Sequence, residues 1–349
     1  MTLMPVLDRL IEGGESSLDL TGQPAALVPG AAAMTKTSSA AAATVKLAVV
    51  NNMPDAALRT TERQWRELMA AARGDDCAVD LRFFSLPEVP RSYTGRMHVA
   101  DNYTDVAELW DGVDGLIVTG TEPIAANLPD EPYWPALTRL IDWARDNTVS
   151  TIFSCLGAHA AVRHLSGIDR RPLGEKLSGI FECSPTGEHS LLAGVPGSWR
   201  VPHSRHNELS EAELVANAYQ VLAHSPEAGA DLFAKDYGSL FVFLQGHLEY
   251  DGGALLREYR RDIKRFLAGE SARYPAMPRN YFDPEVAAVL AEFRAQAIED
   301  QGIDLIENFP ADAARSRDFP WRDPAICIAR NWLHYISTHK AASPESAAV

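Results

Sequence analysis

Apolar residues fall in short clusters whose spacing changes along the chain. Val45-Lys-Leu-Ala-Val-Val is a β-rich run closed by a turn at Asn51-Asn-Met-Pro-Asp. Over residues 57–73, Leu58, Trp65, Leu68 and Met69 recur at helical spacing. Ala78-Val-Asp-Leu-Arg-Phe-Phe predicts a second strand, and Val113-Asp-Gly-Leu-Ile-Val-Thr a third that ends in Gly120-Thr-Glu-Pro. Residues 135–146 read as a helix, 149–154 as a strand running straight into Cys155, and 158–165 as a helix. Residues 239–245 read as another buried strand and 255–267 as a helix. Strands alternating with helices predict an α/β fold, with a mostly parallel, doubly wound sheet carrying helices on both faces. Sites in such sheets lie at the carboxyl ends of the strands. Gly120-Thr-Glu-Pro, Cys155 and Gly246-His-Leu-Glu all fall at such ends.

Residues 1–44 are rich in Ala, Gly, Ser and Thr and lack a core-forming pattern. They predict a flexible extension with one short helix near residues 7–11. A catalytic domain is expected over 45–338 and a tail over 339–349. Charged residues at Asp8, Arg9, Glu12 and Glu15 break any signal-peptide core, and no apolar run reaches the roughly 20 residues that span a bilayer.

Composition narrows the partners. The formal charge is −15, from 32 basic and 47 acidic residues, which argues against nucleic acid. The four cysteines, Cys77, Cys155, Cys183 and Cys327, form no C-x-x-C pair. Their wide spacing suits a reduced cytoplasmic protein without a metal site. No phosphate-binding glycine loop is present, and no bound cofactor is expected.

Cys155 carries the strongest chemical signal. Taken alone, a free cysteine reads as a small buried hydrophobe. Here it lies between a buried strand and a helix-forming run. A sharp turn there would expose the sulfur near the helix N-terminus, where unpaired N–H groups favour negative charge. The amides of that turn, at Leu156, and those of Gly120-Thr121 could form an oxyanion hole. His247 and Glu249 stand two apart; if the strand persists through them, both side chains share one face. His247 would then serve Cys155 as base, with Glu249 orienting the imidazole. His159, one turn beyond Cys155, reads as a helix-surface or packing residue.

At this point the landmarks add up to a family. The chain from about 45 to 338 resembles the homoserine O-succinyltransferases, whose fold is similar to class I glutamine amidotransferase domains. The resemblance rests on Asn51-Asn-Met-Pro, Thr61-Glu-Arg-Gln, Asp114-Gly-Leu-Ile-Val-Thr-Gly, Tyr133-Trp-Pro, Ser150-Thr-Ile-Phe-Ser-Cys and Glu175-Lys-Leu-Ser-Gly. It continues through Val201-Pro-His-Ser-Arg, Gly246-His-Leu-Glu-Tyr-Asp, Glu258-Tyr-Arg-Arg-Asp, Asn280-Tyr-Phe and Asn331-Trp-Leu. It implies a Cys155 nucleophile that takes an acyl group from acyl-CoA as a thioester, with His247 as base and Glu249 as its supporting acid. It further implies Arg261 on the carboxylate of homoserine, with Lys176, Ser204 and Glu258 as substrate-binding residues. Succinyl-CoA is the expected co-substrate, acetyl-CoA the runner-up, and O-succinyl-homoserine, a methionine precursor, the expected product. A homodimer is compatible with the resemblance.

The chain also departs from the family pattern. Asp55-Ala-Ala-Leu-Arg59 lengthens the segment after Met53-Pro54, Leu248 replaces a proline, and Gly120-Thr121-Glu122-Pro123 replaces Gly-Ala-Pro. An ungapped alignment puts Ile124 at the position linked to acyl choice. Ile124 and Glu122 alone lean towards a small acyl group, whereas Arg59 or Lys176 could supply a cation for a succinyl carboxylate. Glutaminase-type amide hydrolysis and a non-catalytic binding role remain as alternative readings of the same residues.

Overall fold

A computed structural model describes residues 44–74, 77–312 and 319–341. The expected extension, with its helix near 7–11, and most of the expected tail lie outside the described residues. The chain begins with β1 (Thr44–Val50), α1 (Leu58–Ala72), β2 (Ala78–Phe84), α2 (Tyr93–Asn102), β3 (Gly115–Val118), α3 (Trp134–Asn147), β4 (Ser150–Ser154) and α4 (Leu156–Ser166). It continues with β5 (Arg171–Pro185), β6 (Trp199–Glu208), α5 (Glu211–Ala216), β7 (Gln220–Ser225), β8 (Gly229–Asp236) and β9 (Leu240–Leu244). Three helices close it: α6 (Ala254–Leu267), α7 (Pro284–Glu299) and α8 (Arg322–Ala341). Thr44 therefore opens the first strand, and the last helix runs past the boundary expected at 338.

The nine described strands form one sheet in the order β2-β1-β3-β4-β9-β8-β7-β5-β6. The first five pair in parallel. From β9 outward every pairing is antiparallel. The strand–helix alternation of the sequence thus accounts for the parallel half, and β5 to β8 extend it by hairpin-like pairing.

Alternation along β1 explains the two-sided core. Val45, Leu47 and Val49 join Trp65, Leu68 and Met69 of α1 and Ile328, Trp332 and Ile336 of α8. Ala48 and Val50 join Leu137, Leu140 and Ile141 of α3 and Ala158, Ala161 and Val162 of α4 on the other face. Trp332 donates its indole N–H to Ser150 Oγ at 2.8 Å, which ties α8 to β4. A third apolar cluster joins α6, α7 and Trp321. Among the described residues no helix is long and apolar enough to cross a membrane.

Candidate active site

The carboxyl ends of β1, β3, β4 and β9 converge on one cavity of about 200 Å³. Its wall includes Met53 after β1, Thr119 to Pro123 after β3, Cys155 after β4, and His247 and Glu249 after β9.

Cys155 caps α4 with φ 50° and ψ −112°, a backbone conformation that L side chains rarely adopt. Its N–H continues the sheet by donating to Leu244 O at 2.8 Å, and its carbonyl accepts from Ala158 and His159 of the helix. The residue is therefore pinned to the strand on one side and the helix on the other, and the strain is held between them. Leu156 N–H is then the first amide of α4, without an intrahelical acceptor. The β3 loop comes against it because glycine stands at 120 and 157. A Cβ on Gly120 would lie 2.8 Å from Leu156 Cβ, and one on Gly157 2.8 Å from Val118 O. Thr119 Oγ1 holds that loop to the β1 turn, accepting from Asn52 N at 2.9 Å.

His247 and Glu249 do meet, but not by strand periodicity. β9 ends at Leu244, and the segment beyond is irregular. Gln245 N donates to Asp231 O, Gly246 N to Asp231 Oδ1 at 3.0 Å, and His247 N to Pro202 O at 3.0 Å. Trp321 Nε1 holds Tyr250 O at 2.8 Å. These ties to β6, β8 and Trp321 put His247 Nδ1 2.9 Å from Glu249 Oε1. The Tyr250 ring stacks on the imidazole with centroids 4.0 Å apart. Nδ1 is engaged by Glu249, whereas Nε2 is buried and makes no hydrogen bond among the described residues; Cys155 lines the same cavity and is close enough to act on the imidazole. Burial alone would lower the proton affinity of His247; the negative charges of Glu249 and Cys155 outweigh it and raise it well above the usual histidine value.

The expected substrate-binding residues, Lys176, Ser204, Glu258 and Arg261, line the same cavity and contact one another. Lys176 of β5 donates to Glu258 Oε2 at 3.0 Å and Asp262 Oδ2 at 2.8 Å. Ser204 of β6 and the Tyr250 hydroxyl also donate to Glu258. Burial would raise the Glu258 carboxyl, but Lys176, Arg261 and the two hydroxyls hold it down at about 2. Arg261 pairs with Asp262 at 2.9 Å and lies 3.8 Å from Glu258. Tyr250 thus joins the imidazole to this charged network, a link that its place beside Glu249 in the sequence could have suggested.

Ile124 behaves differently from expectation. The residue is 72% exposed and does not line the cavity. Glu131 Oε1 accepts from both Ile124 N and Ala125 N at 2.8 Å, which turns the loop away from the site. Thr121, Glu122 and Pro123 line the cavity instead. Glu122 is not a free carboxylate, because Arg265 grips both its oxygens, at 2.7 and 2.9 Å. His159 is a buried packing residue rather than a surface one, bonded through Nε2 to Gln245 at 3.1 Å. Arg170, Arg205 and Arg265 also line the cavity and were not singled out from the sequence. Behind the site, Cys183, His203 and Asp231 form a buried trio of metal-ligand type. Asp231 is already engaged there, with Gly246 N and, at 3.2 Å, with His203 Nε2.

A strained cysteine elbow with a histidine–glutamate pair beside it, in a cavity at the end of a parallel α/β sheet, is the layout of enzymes that work through a cysteine. Within that class the chain belongs to the homoserine O-succinyltransferase family, whose pattern matches residues 29–343. Three relatives carry that name. The protein of Methylorubrum extorquens is 47% identical over 85% of this chain and 88% of its own. That of Rhodopseudomonas palustris is 47% identical over 84% and 89%, and that of Bradyrhizobium japonicum 45% over 83% and 90%. Among solved structures, a glutamine amidotransferase from Methylobacillus flagellatus covers 84% of this chain and 94% of its own, at 14% identity and a TM-score of 0.47.

Proposed function

We propose that this protein transfers the succinyl group of succinyl-CoA to the hydroxyl of homoserine through a thioester on Cys155. The observation that carries the proposal is the geometry of His247: Nδ1 is held by Glu249, while Nε2 is left for the thiol in the same cavity. Cys155 Sγ attacks the thioester carbonyl of succinyl-CoA as its proton passes to His247 Nε2. The oxyanion forms against the amides of Leu156 and Thr121. The bond to the CoA sulfur breaks, and that sulfur takes the proton from His247. Homoserine then enters, its hydroxyl gives its proton to His247, and its oxygen attacks the acyl carbon. The bond to Sγ breaks, Sγ regains the proton, and O-succinyl-homoserine leaves.

The charged wall supports an amino-acid acceptor. Glu258 suits the substrate ammonium, and Arg261 suits its carboxylate, because a planar guanidinium pairs both oxygens at once. The product would feed methionine synthesis. Four unpaired cysteines support a reducing, cytoplasmic setting. Acetyl-CoA is the runner-up donor, a reading that Glu122 at the cavity wall favours and its pairing with Arg265 weakens.

The test is intact-protein mass spectrometry after mixing with succinyl-CoA alone. A mass gain of one succinyl group is expected, discharged on adding homoserine and absent in Cys155→Ala. Acylation at another residue, or a gain only with acetyl-CoA, would overturn the proposal.

A further inference from the structure

A succinyl donor differs from an acetyl donor by a free carboxylate, and the site must supply a cation for it. Five cationic side chains line the cavity: Arg170, Lys176, Arg205, Arg261 and Arg265. Four already have partners. Lys176 sits between Glu258 and Asp262. Arg261 is held by Asp262 and Arg265 by Glu122. Arg205 is buried, with Nη1 on Asn207 O at 2.7 Å and Nη2 on Ala228 O at 2.5 Å. Arg59, the other cation considered from the sequence, is exposed and does not line the cavity.

Arg170 differs from all of these. Among the described residues its guanidinium makes no hydrogen bond or ion pair. The nearest acid in sequence, Asp169, pairs with Arg163 at 3.2 Å. Buried Tyr133 and Glu131 are close enough to act on Arg170 through charge, yet neither bonds to it: Glu131 Oε1 accepts from Ile124 N and Ala125 N, and Glu131 Oε2 and the Tyr133 hydroxyl make no hydrogen bond among the described residues. Arg170 is half-buried, so it has given up part of its hydration without gaining a direct hydrogen bond or ion pair among the described residues. It also lies within electrostatic range of Cys155. An unpaired, partly desolvated guanidinium in the wall of a reaction cavity is a prepared anion site.

We propose that Arg170 binds the free carboxylate of the acyl group carried on Cys155 and so selects a dicarboxylic donor over a monocarboxylic one. The proposal rests on succinyl-CoA being the donor. Two methylenes separate the thioester carbon from that carboxylate, so the anion must be met inside the cavity that holds Cys155, where Arg170 stands. A second cavity, which also holds Arg163, shares Arg170 and Asn207 with the first. The CoA phosphates are therefore the competing anion, and the experiment must separate the two.

The experiment compares wild type, Arg170→Met and Arg170→Lys in two measurements. One is the kcat/KM of Cys155 acylation by succinyl-CoA. The other is inhibition by free CoA, which keeps the phosphates and lacks the acyl group. In Arg170→Met, acylation falls about 10- to 100-fold, the range for loss of one charge-assisted contact, while the inhibition constant of CoA stays within about twofold. Arg170→Lys recovers part of the loss, since it keeps the charge without the planar fork. Acylation and CoA inhibition weakening in step would assign Arg170 to the phosphates and overturn the proposal. Unchanged acylation would overturn it as well. Failure of the donor itself is distinguishable, because wild type would then form no succinyl thioester at all.

Discussion

The contact between the β3 loop and the start of α4 can be broken with one methyl group. In Gly120→Ala the new Cβ would stand 2.8 Å from Leu156 Cβ, 3.1 Å from Leu156 N and 3.3 Å from Leu156 Cα. The first of these is about 0.6 Å short of ordinary contact, and no rotamer relieves it, because all three atoms belong to the backbone or to its Cβ. Gly120 is not in the left-handed region, so alanine suits the local backbone and the cost is the contact alone. α4 cannot retreat, since Ala158, Ala160, Ala161 and Val162 are packed in the core. The loop must therefore move, carrying the Thr121 amide away from that of Leu156. Overpacking of this kind costs about 1–3 kcal/mol of stability, whereas loss of one oxyanion donor lowers kcat about 10²- to 10³-fold. The expected result is a melting temperature lower by a few degrees and single-turnover acylation slowed at least about 100-fold. Intact-mass quench measurements give the rate, and calorimetry gives the stability. A stability loss with acylation at the wild-type rate would refute the assignment of these two amides.

Three further outcomes are expected. Cys155→Gly relieves the φ 50°, ψ −112° strain, and so should raise stability by about 1 kcal/mol in urea melts while abolishing acylation; a destabilised variant would mean the elbow stores no strain. In Glu249→Gln the amide keeps the contact to Nδ1 but loses the charge that opposes the effect of burial on His247. The imidazole should then release its proton at lower pH by NMR titration, and an unmoved titration would show that Glu249 does not govern it. Glu258 is held at about 2 against an ordinary 4.5, so it contributes stability present above the unfolded value and lost as pH falls through the folded one. Acid melts of wild type minus Glu258→Gln should show up to about 3 kcal/mol disappearing between roughly pH 4.5 and 2, and a pH-independent difference would contradict the ionised network.

Local patterning determined the parallel half of this protein. The runs at 45–50, 78–84, 149–154 and 239–245 and the helices between them are encoded over a few residues each, because burial on one face repeats with the period of the element. The strand-to-helix switch at Cys155 is equally local, and so is the pairing in sequence of His247 with Glu249. The tertiary structure decided what those residues meet. His247 and Glu249 come together because Pro202, Asp231 and Trp321 hold a segment that has left the sheet, not because a strand continues. Glu122 is neutralised by Arg265, 143 positions away. The antiparallel strands β5 and β6 bring Lys176 and Ser204 to Glu258. The same pairing of distant charges leaves Arg170 without a hydrogen bond or ion pair among the described residues. Which cation remains free is fixed by long-range contacts, and these depend on what every other segment offers at that point in space, which no window of neighbouring residues contains.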